Sequence, residues 1–218
     1  MIRQLWGRFR KPKSLPYLSH YEHILGTALE FRCRAESRQI AESAEQIALT
    51  EIDRLSAIFN AFSADSELSQ WQQTLRKPVI VSSELAELLF FAEEWRIRSE
   101  GRFNPAAERI TRLWKQAEQC DSVPNAKILA TQADEIAGPL WKVDVPNSTA
   151  TRCVDHPVTL NSFAKGFIVD RAALAVRSLP GVTDVVVNIG GDIRHAGDQG
   201  VRTAIADPFN KADNAPHL

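Results

Sequence analysis

The sequence predicts an α+β protein, with helices and strands mixed irregularly rather than alternating as in a doubly wound sheet. Three observations carry that expectation. Residues 36–59 repeat apolar side chains at three- to four-residue steps, the pattern of a long amphipathic helix. Residues 161–179 form a second helical stretch. Directly after it, DVVVNIGGD at 184–192 is a β-branched run that ends in a glycine pair, as a buried strand opening into a turn does.

Taken in order, the chain begins with Arg3, Arg8, Arg10, Lys11 and Lys13, a basic cluster. Residues 1–20 are expected to be a solvated, poorly ordered leader, ahead of a folded unit over 21–218. No apolar run follows the basic residues, because Pro12, Lys13, Ser14 and Pro16 intervene. No signal peptide or membrane span is visible, so by sequence the chain is expected in the cytoplasm. ILGTALEFRC at 24–33 alternates in part and predicts a strand. The helix over 36–59 carries Ile40, Ala44, Ile47, Ile52, Leu55 and Phe59 on one side. Residues 60–71 break the pattern, and Ser66-Glu67 suits the start of a short helical turn.

PVIVS at 78–82 predicts a short strand, after which Ser82 or Ser83 caps a helix bearing Leu85, Leu88, Leu89, Ala92 and Trp95 on one face. GRFNPA at 101–106 predicts a turn, since Gly101 permits unusual backbone angles and Pro105 disfavours a helical Asn104. Helices are expected from there to about Cys120 and over 125–137, and adjacent strands at 141–145 and within 151–160. The helix over 161–179 takes Asn161 as its cap and turns Phe163, Phe167, Ala173, Leu174 and Leu179 inward. VRTAIAD at 201–207 alternates like a half-buried strand.

Charge excludes some functions. Lys+Arg 26 against Asp+Glu 27 leaves a net charge of -1, so whole-chain electrostatics argues for neither nucleic acid nor an anionic membrane. Cys33, Cys120 and Cys153 are odd in number and lack CxxC spacing, which points to free thiols rather than zinc or a disulfide framework.

The chemistry-bearing segments are NAF with ADSEL, GRFN, TLNSFAKG and VNIGGDIR. Each joins small residues to a polar side chain at a chain reversal, where backbone amides can approach a ligand. Lys165 stands about one turn into its helix, near the positive end. Singly, each feature has a structural reading: Gly190-Gly191 a tight turn, Asp192 a turn residue, Lys165 a solvated lysine, Phe62 and Phe103 core residues. No Rossmann fingerprint or P-loop spacing is present.

In order, these segments resemble the ApbE family of FAD:protein FMN transferases. ILGTALEF resembles its opening Met-Gly-Thr strand, with Leu25 in the Met position; FSADSELSQW resembles its Asp-Ser-Glu segment; GRFNPA resembles its Gly-Ala-Phe-Asp-Pro turn. TLNSFAKGFIVDRAA is similar to its Ala-Lys-Gly signature, and VVVNIGGDIRHAG and AIADP are similar to the family's next strand and loop. The resemblance implies a flavin-transferase fold, a mixed sheet packed with helices, covering about two thirds of a family member, with the C-terminal part missing from this chain. It implies transfer of the FMN moiety of FAD to a Thr or Ser hydroxyl of an acceptor flavoprotein, with Mg2+ assistance and release of AMP. It places Leu25, Phe62, Arg102, Phe103, Asn104, Thr159 and Lys165 at the FAD and the backbone oxygen of Ser162 on the metal.

Two departures stand out: Asn104 and Thr159 occupy positions where the family has Asp. The family's further magnesium-binding segment lies beyond the last residues here, so an incomplete and inactive chain is expected. The catalytic base is left unassigned. The alternatives are a non-catalytic flavin-binding or interaction protein and a magnesium-dependent FAD pyrophosphatase. Family members are often exported, in contrast to the sequence-based expectation of a cytoplasmic chain.

Overall fold

The computed structural model describes residues 14–203, together with the backbone of residues 205–206 and 216–217. It is the expected mixture of helices and strands, and every strand pairing among the described residues is antiparallel. The main sheet has the order β1-β2-β6-β7 and is antiparallel throughout: β1 (Leu15–Ile24), β2 (Thr27–Ala35), β6 (Val182–Ile189) and β7 (Asp192–Gly197). Its inner face pairs Leu29 with Ile189, Phe31 with Val187 and Cys33 with Val185, and all six side chains are buried. Helices α1 (Arg38–Phe59) and α6 (Asn161–Arg177) cover that face. The two helices pack on each other, and each buries small residues, Ala44 and Ala48 on α1 and Ala172 and Ala173 on α6.

Between α1 and α6 the chain builds a second layer: α2 (Glu67–Gln72), β3 (Val79–Ile80), α3 (Ser83–Arg98), α4 (Glu108–Gln119), α5 (Ala126–Glu135), β4 (Trp141–Asp144) and β5 (Thr149–Arg152). A small sheet of order β3-β5-β4 joins it, with Trp71 and Trp141 meeting edge-on at 6.0 Å. Strand β8 (Ile205–Ala206) pairs with β9 (Pro216–His217). Among the described residues no helix is long and apolar enough to cross a membrane.

Serine hydroxyls start three helices as their residue types dictate. Ser37, Ser66 and Ser82 accept from the amides of Ile40, Ser69 and Leu85 at 3.2, 3.1 and 3.1 Å. Of the two serines weighed for α3, Ser82 is therefore the cap.

Several expectations are corrected. Residues Leu15–His20, assigned to a disordered leader, lie in β1, and only residues 1–13 of that leader fall outside the described residues. The signal was in the alternation: Tyr17, Ser19 and Tyr21 turn toward α1, where Tyr17 Oη donates to Glu45 Oε2 at 2.8 Å. That bond pushes the Tyr17 pKa up to about 12, so the link persists well above neutral pH. The strand expected at 24–33 starts later, because Leu25-Gly26 is the hairpin turn. Trp95 is 51% exposed and Leu174 39%, since both lie at the flank of their helix's buried stripe. Arg96 takes the inward position beside Trp95, its guanidinium bound by Glu93 and the carbonyl of Ala137. Asn161 is the first helical residue rather than the cap, a role taken by Leu160 without a side-chain bond. Of the expected strand at 201–207, Ile205–Ala206 is strand, residues 201–203 are not, and residues 204 and 207 lie outside the described residues.

The β6–β7 turn is tight for two different reasons. Gly190 and Gly191 both have positive φ, 57° and 92°. A Cβ on Gly190 would stand 2.6 Å from the Thr27 methyl, whereas one on Gly191 would meet open space. Both alanine variants carry backbone strain, but Gly190→Ala adds a collision that the hairpin must move to relieve. Thermal denaturation is expected to show Gly190→Ala melting below Gly191→Ala, and both below the parent. Equal melting temperatures for the two would show that the Thr27 contact does not constrain the turn.

Candidate functional site

Segments far apart in sequence meet at one end of the main sheet. The β1–β2 hairpin tip, the end of α1 with the loop after it, and the first turns of α6 enclose an open cleft of about 610 Å³. Its lining includes His23, Leu25, Phe59, Phe62, Asn161 and Lys165. Small-molecule sites span roughly 300–1,000 Å³, so the cleft has room for a substantial ligand.

Each wall has a local cause. At the hairpin tip the β1–β2 register shifts between Tyr21 and Ile24, and His23, Leu25 and Gly26 adopt φ of 64°, 50° and 78°. Two non-glycine residues in the left-handed region are costly, and such strain gathers at ligand sites. After α1, the Asn60 side chain accepts from the Phe62 amide at 3.0 Å and folds the loop back, leaving the Phe62 ring 89% exposed at the cleft mouth. An exposed aromatic ring offers a large face for stacking.

The third wall is the start of α6. Its Leu160 carbonyl accepts from the Phe163 and Ala164 amides, both at 2.8 Å, and Thr159 Oγ1 accepts from Asn161 N at 3.3 Å. The helix dipole adds partial positive charge there. Lys165 Nζ lies 3.0 Å from Asp192 Oδ2 on β7, so the glycine turn of β6–β7 sets where that ammonium stands.

The loop that delivers α6 is anchored from behind. Val158 N donates to Gln72 Oε1 at 3.1 Å, and the buried Arg152 donates to the His156 carbonyl at 2.9 Å. His156 Nδ1 lies 3.1 Å from Arg109 Nη1. Burial, and then the Arg109 charge, push the His156 pKa below the usual histidine range. The ring is therefore neutral at neutral pH.

Leu25, Phe62 and Lys165 line the cleft together; Arg102, Phe103, Asn104, Thr159 and Ser162 do not. Three of these form a neighbouring cluster against the α6 start. Phe103 packs on Phe163 with ring centres 4.8 Å apart, and Thr159 N donates to the Pro105 carbonyl at 2.8 Å. Asn104 spans the turn, accepting from Ala106 N and donating to the Ile136 carbonyl, both at 2.9 Å. Arg102 is exposed and pairs with Glu100 at 2.8 Å. His23 is a cleft residue that sequence reasoning missed, with the Leu25-Gly26 turn beside it as the available signal, whereas Asn60 and Asn161 lie in the NAF and TLNSFAKG segments singled out above without being assigned to the site.

Magnesium favours near-octahedral oxygen coordination that includes carboxylate. Among the described residues no group of three or more His, Cys, Asp or Glu side chains is placed to hold a metal ion. Ser162 lies in the first turn of α6, where its carbonyl points along the helix and into the backbone ladder. The described residues do not by themselves fit a magnesium ion.

The pattern over residues 25–217 matches the model of the ApbE family, which takes in most of the chain and all of the cleft residues except His23. The chain belongs to the ApbE family. It is 28% identical over 203 residues to an FAD:protein FMN transferase of Rhodobacter capsulatus, covering 89% of this chain and 38% of that protein. It is 25% identical over 179 residues to one of Chlamydia muridarum, covering 81% of this chain and 54% of that protein. The chain thus spans between about a third and a half of the length of these curated relatives. Its fold is that of solved ApbE structures. The apo flavinyl transferase ApbE of Pseudomonas stutzeri superposes with a TM-score of 0.69 at 19% identity, covering 90% of this chain and 66% of that one. The flavin transferase ApbE of Vibrio cholerae does so with a TM-score of 0.70 at 21% identity, covering 90% and 65%.

The Asn104 side chain is satisfied at both ends of its amide. Its amide group gives a donor to the Ile136 carbonyl, which a carboxylate would face as a second acceptor. Asn104→Asp is expected to cost about 1–3 kcal/mol. Urea denaturation reads this as a lower midpoint at unchanged slope. A parental midpoint would show that the Ile136 bond contributes nothing.

Proposed function

We propose that the cleft binds FAD and that this chain carries the flavin-nucleotide site of an FAD:protein FMN transferase. The observation that carries the reading is convergence. Leu25, Phe62 and Lys165, singled out on three separate segments through the family resemblance, line one cleft of about 610 Å³. The names of the relatives from Rhodobacter capsulatus and Chlamydia muridarum support the activity.

In this reading the exposed Phe62 ring gives an aromatic face for a planar ring system, and Lys165 with the α6 dipole offsets diphosphate charge. Phe103, Asn104 and Thr159 act at the α6 start, where the turn and the loop are tied together, and Arg102 enters the reading through the resemblance alone. Ser162 belongs to the same reading as the resemblance's metal contact, and the reading includes a magnesium requirement. The transfer balances simply. The acceptor Thr or Ser oxygen bonds to the FMN-side phosphorus, the phosphoanhydride bond breaks, AMP departs with the bridging oxygen, and the hydroxyl proton is released. Catalysis of such a step rests on alignment and on charge stabilisation.

Incubation with FAD, magnesium and an acceptor protein bearing the target Thr, followed by in-gel flavin fluorescence, tests the activity. Covalent flavin on the acceptor supports transfer. Free FMN and AMP without it support hydrolysis, and turnover of neither supports flavin binding alone.

Lys165 is tested separately by FAD titration. A charge-assisted contact contributes roughly 1.5–3 kcal/mol, so Lys165→Ala is expected to weaken FAD binding at least tenfold. Part of that loss comes from an Asp192 carboxylate left facing the ligand, and adding Asp192→Asn should recover it. Parental affinity in folded Lys165→Ala would remove Lys165 from the site.

A further inference from the structure

The loop over residues 153–160, which joins β5 to α6, is seated on a buried imidazole. His156 is 9% exposed, and its Nδ1 lies 3.1 Å from Arg109 Nη1 on α4. A guanidinium can only donate, so Nδ1 accepts and the ring proton sits on Nε2. Nε2 is buried without a partner among the described residues, as is Nε of the neighbouring Arg152. Buried polar groups left unpaired are costly, so the imidazole keeps its seat with little to spare.

The charged groups facing the ring come from α4, α5, β5 and the loop itself. Arg109 is in turn held by Gln132 at 2.7 Å and Glu135 at 2.6 Å, both on α5. Arg152 on β5 donates to the His156 carbonyl at 2.9 Å and brings a second guanidinium. Asp155 stands 3.8 Å from Nδ1, but its side chain is 83% exposed and screened by water. A proton on Nδ1 would set two donors and two positive charges against each other at 3.1 Å. Burial and the Arg109 charge outweigh Asp155, and the His156 pKa is lowered.

Two bonds carry the position of His156 forward to the cleft. Val158 N donates to Gln72 Oε1 at 3.1 Å, and Thr159 N donates to the Pro105 carbonyl at 2.8 Å. Asn161, the first residue of α6, lines the cleft. We infer that the Arg109–His156 contact is a proton-released latch, which holds the loop that delivers α6 while the imidazole is neutral and lets it go when Nδ1 gains a proton. The inference goes beyond the flavin reading of the cleft and stands or falls without it.

Linkage gives the sign. The closed loop keeps the ring neutral, whereas an open loop leaves it in water, where it takes a proton near the ordinary histidine value of about 6.5. Loop stability is therefore full above that value and falls as pH drops below it, until the closed form is protonated too. One proton taken at about pH 6.5 limits the effect to about thirtyfold at about pH 5.

Amide hydrogen exchange of the whole chain at about pH 5 and about pH 7.5, corrected for intrinsic rates, tests the latch. The Val158 and Thr159 amides are expected to lose about tenfold in protection at the lower pH, relative to amides of the β2–β6 ladder. His156→Asn puts an acceptor that does not titrate near the Nδ1 position, so its loop should stay protected at both pH values. Arg109→Met removes the donor, so loop protection at about pH 7.5 should fall at least to the parent's value at about pH 5. Equal protection of the parent loop at both pH values overturns the latch. Acid loss that survives in His156→Asn does so too, as does a folded Arg109→Met chain with parental loop protection at about pH 7.5. Should neither variant fold, the parent's His156 ring resonances still decide, because titration at or above the ordinary histidine value overturns the latch.

Discussion

The position of the first turn of α6 governs everything at the cleft, and burial sets it. Ala164, Ile168, Val169, Ala172, Ala173 and Val176 are all buried, so the helix is pressed along its length between α1 and the inner face of the sheet. Removing any of its large members leaves a cavity that neighbours can fill only in part, which makes the helix axis hard to shift. Its rotation is fixed at the outer margin by ion pairs to β7. Lys165 meets Asp192 at 3.0 Å and Arg194 meets Asp170 at 3.1 Å. Exposed pairs of this kind contribute little stability, but they hold a register that packing has already chosen.

From that fixed helix the site extends outward through hydrogen bonds, one between backbone groups and two that use the Asn104 and Gln72 side chains. Thr159 N reaches the Pro105 carbonyl, Asn104 reaches the Ile136 carbonyl, and Val158 N reaches Gln72. The GRFN turn, the start of α6 and the end of α2 are thereby coupled, so a change in one is felt at the cleft through Asn161. The hairpin tip contributes in the opposite sense. It holds strained backbone at His23 and Leu25, paid for by the buried ladder between β2 and β6.

Much of this was legible in the sequence because the relevant signals are local. The period of residues 36–59, the Ser66 start of α2, the Ser82 or Ser83 start of α3 and the glycine pair at 190–191 act over a few residues, and each was readable. The Ser37 cap that shortens the first helix to Arg38–Phe59 was not read. What was not legible depends on partners distant in sequence. Strand β1 was hidden because Pro16, Ser19, His20 and Glu22 make it look like a polar leader until Glu45 supplies a partner for its tyrosine. Asn104 looked like a ligand contact, yet both ends of its amide are satisfied by backbone that the sequence alone does not bring near. His23 gave no signal of its own, since its place at the cleft follows a register shift between Tyr21 and Ile24 that the sequence does not announce.

The account's central claim is that the hairpin tip, the loop after α1 and the start of α6 form one flavin-nucleotide site. Amide hydrogen exchange of the chain with and without saturating FAD tests it directly. Slowed exchange is expected together at residues 25–26, 60–62 and 161–165, with α5, remote from the cleft, unchanged. Binding that protects a different surface, or only one of these segments, would contradict the claim.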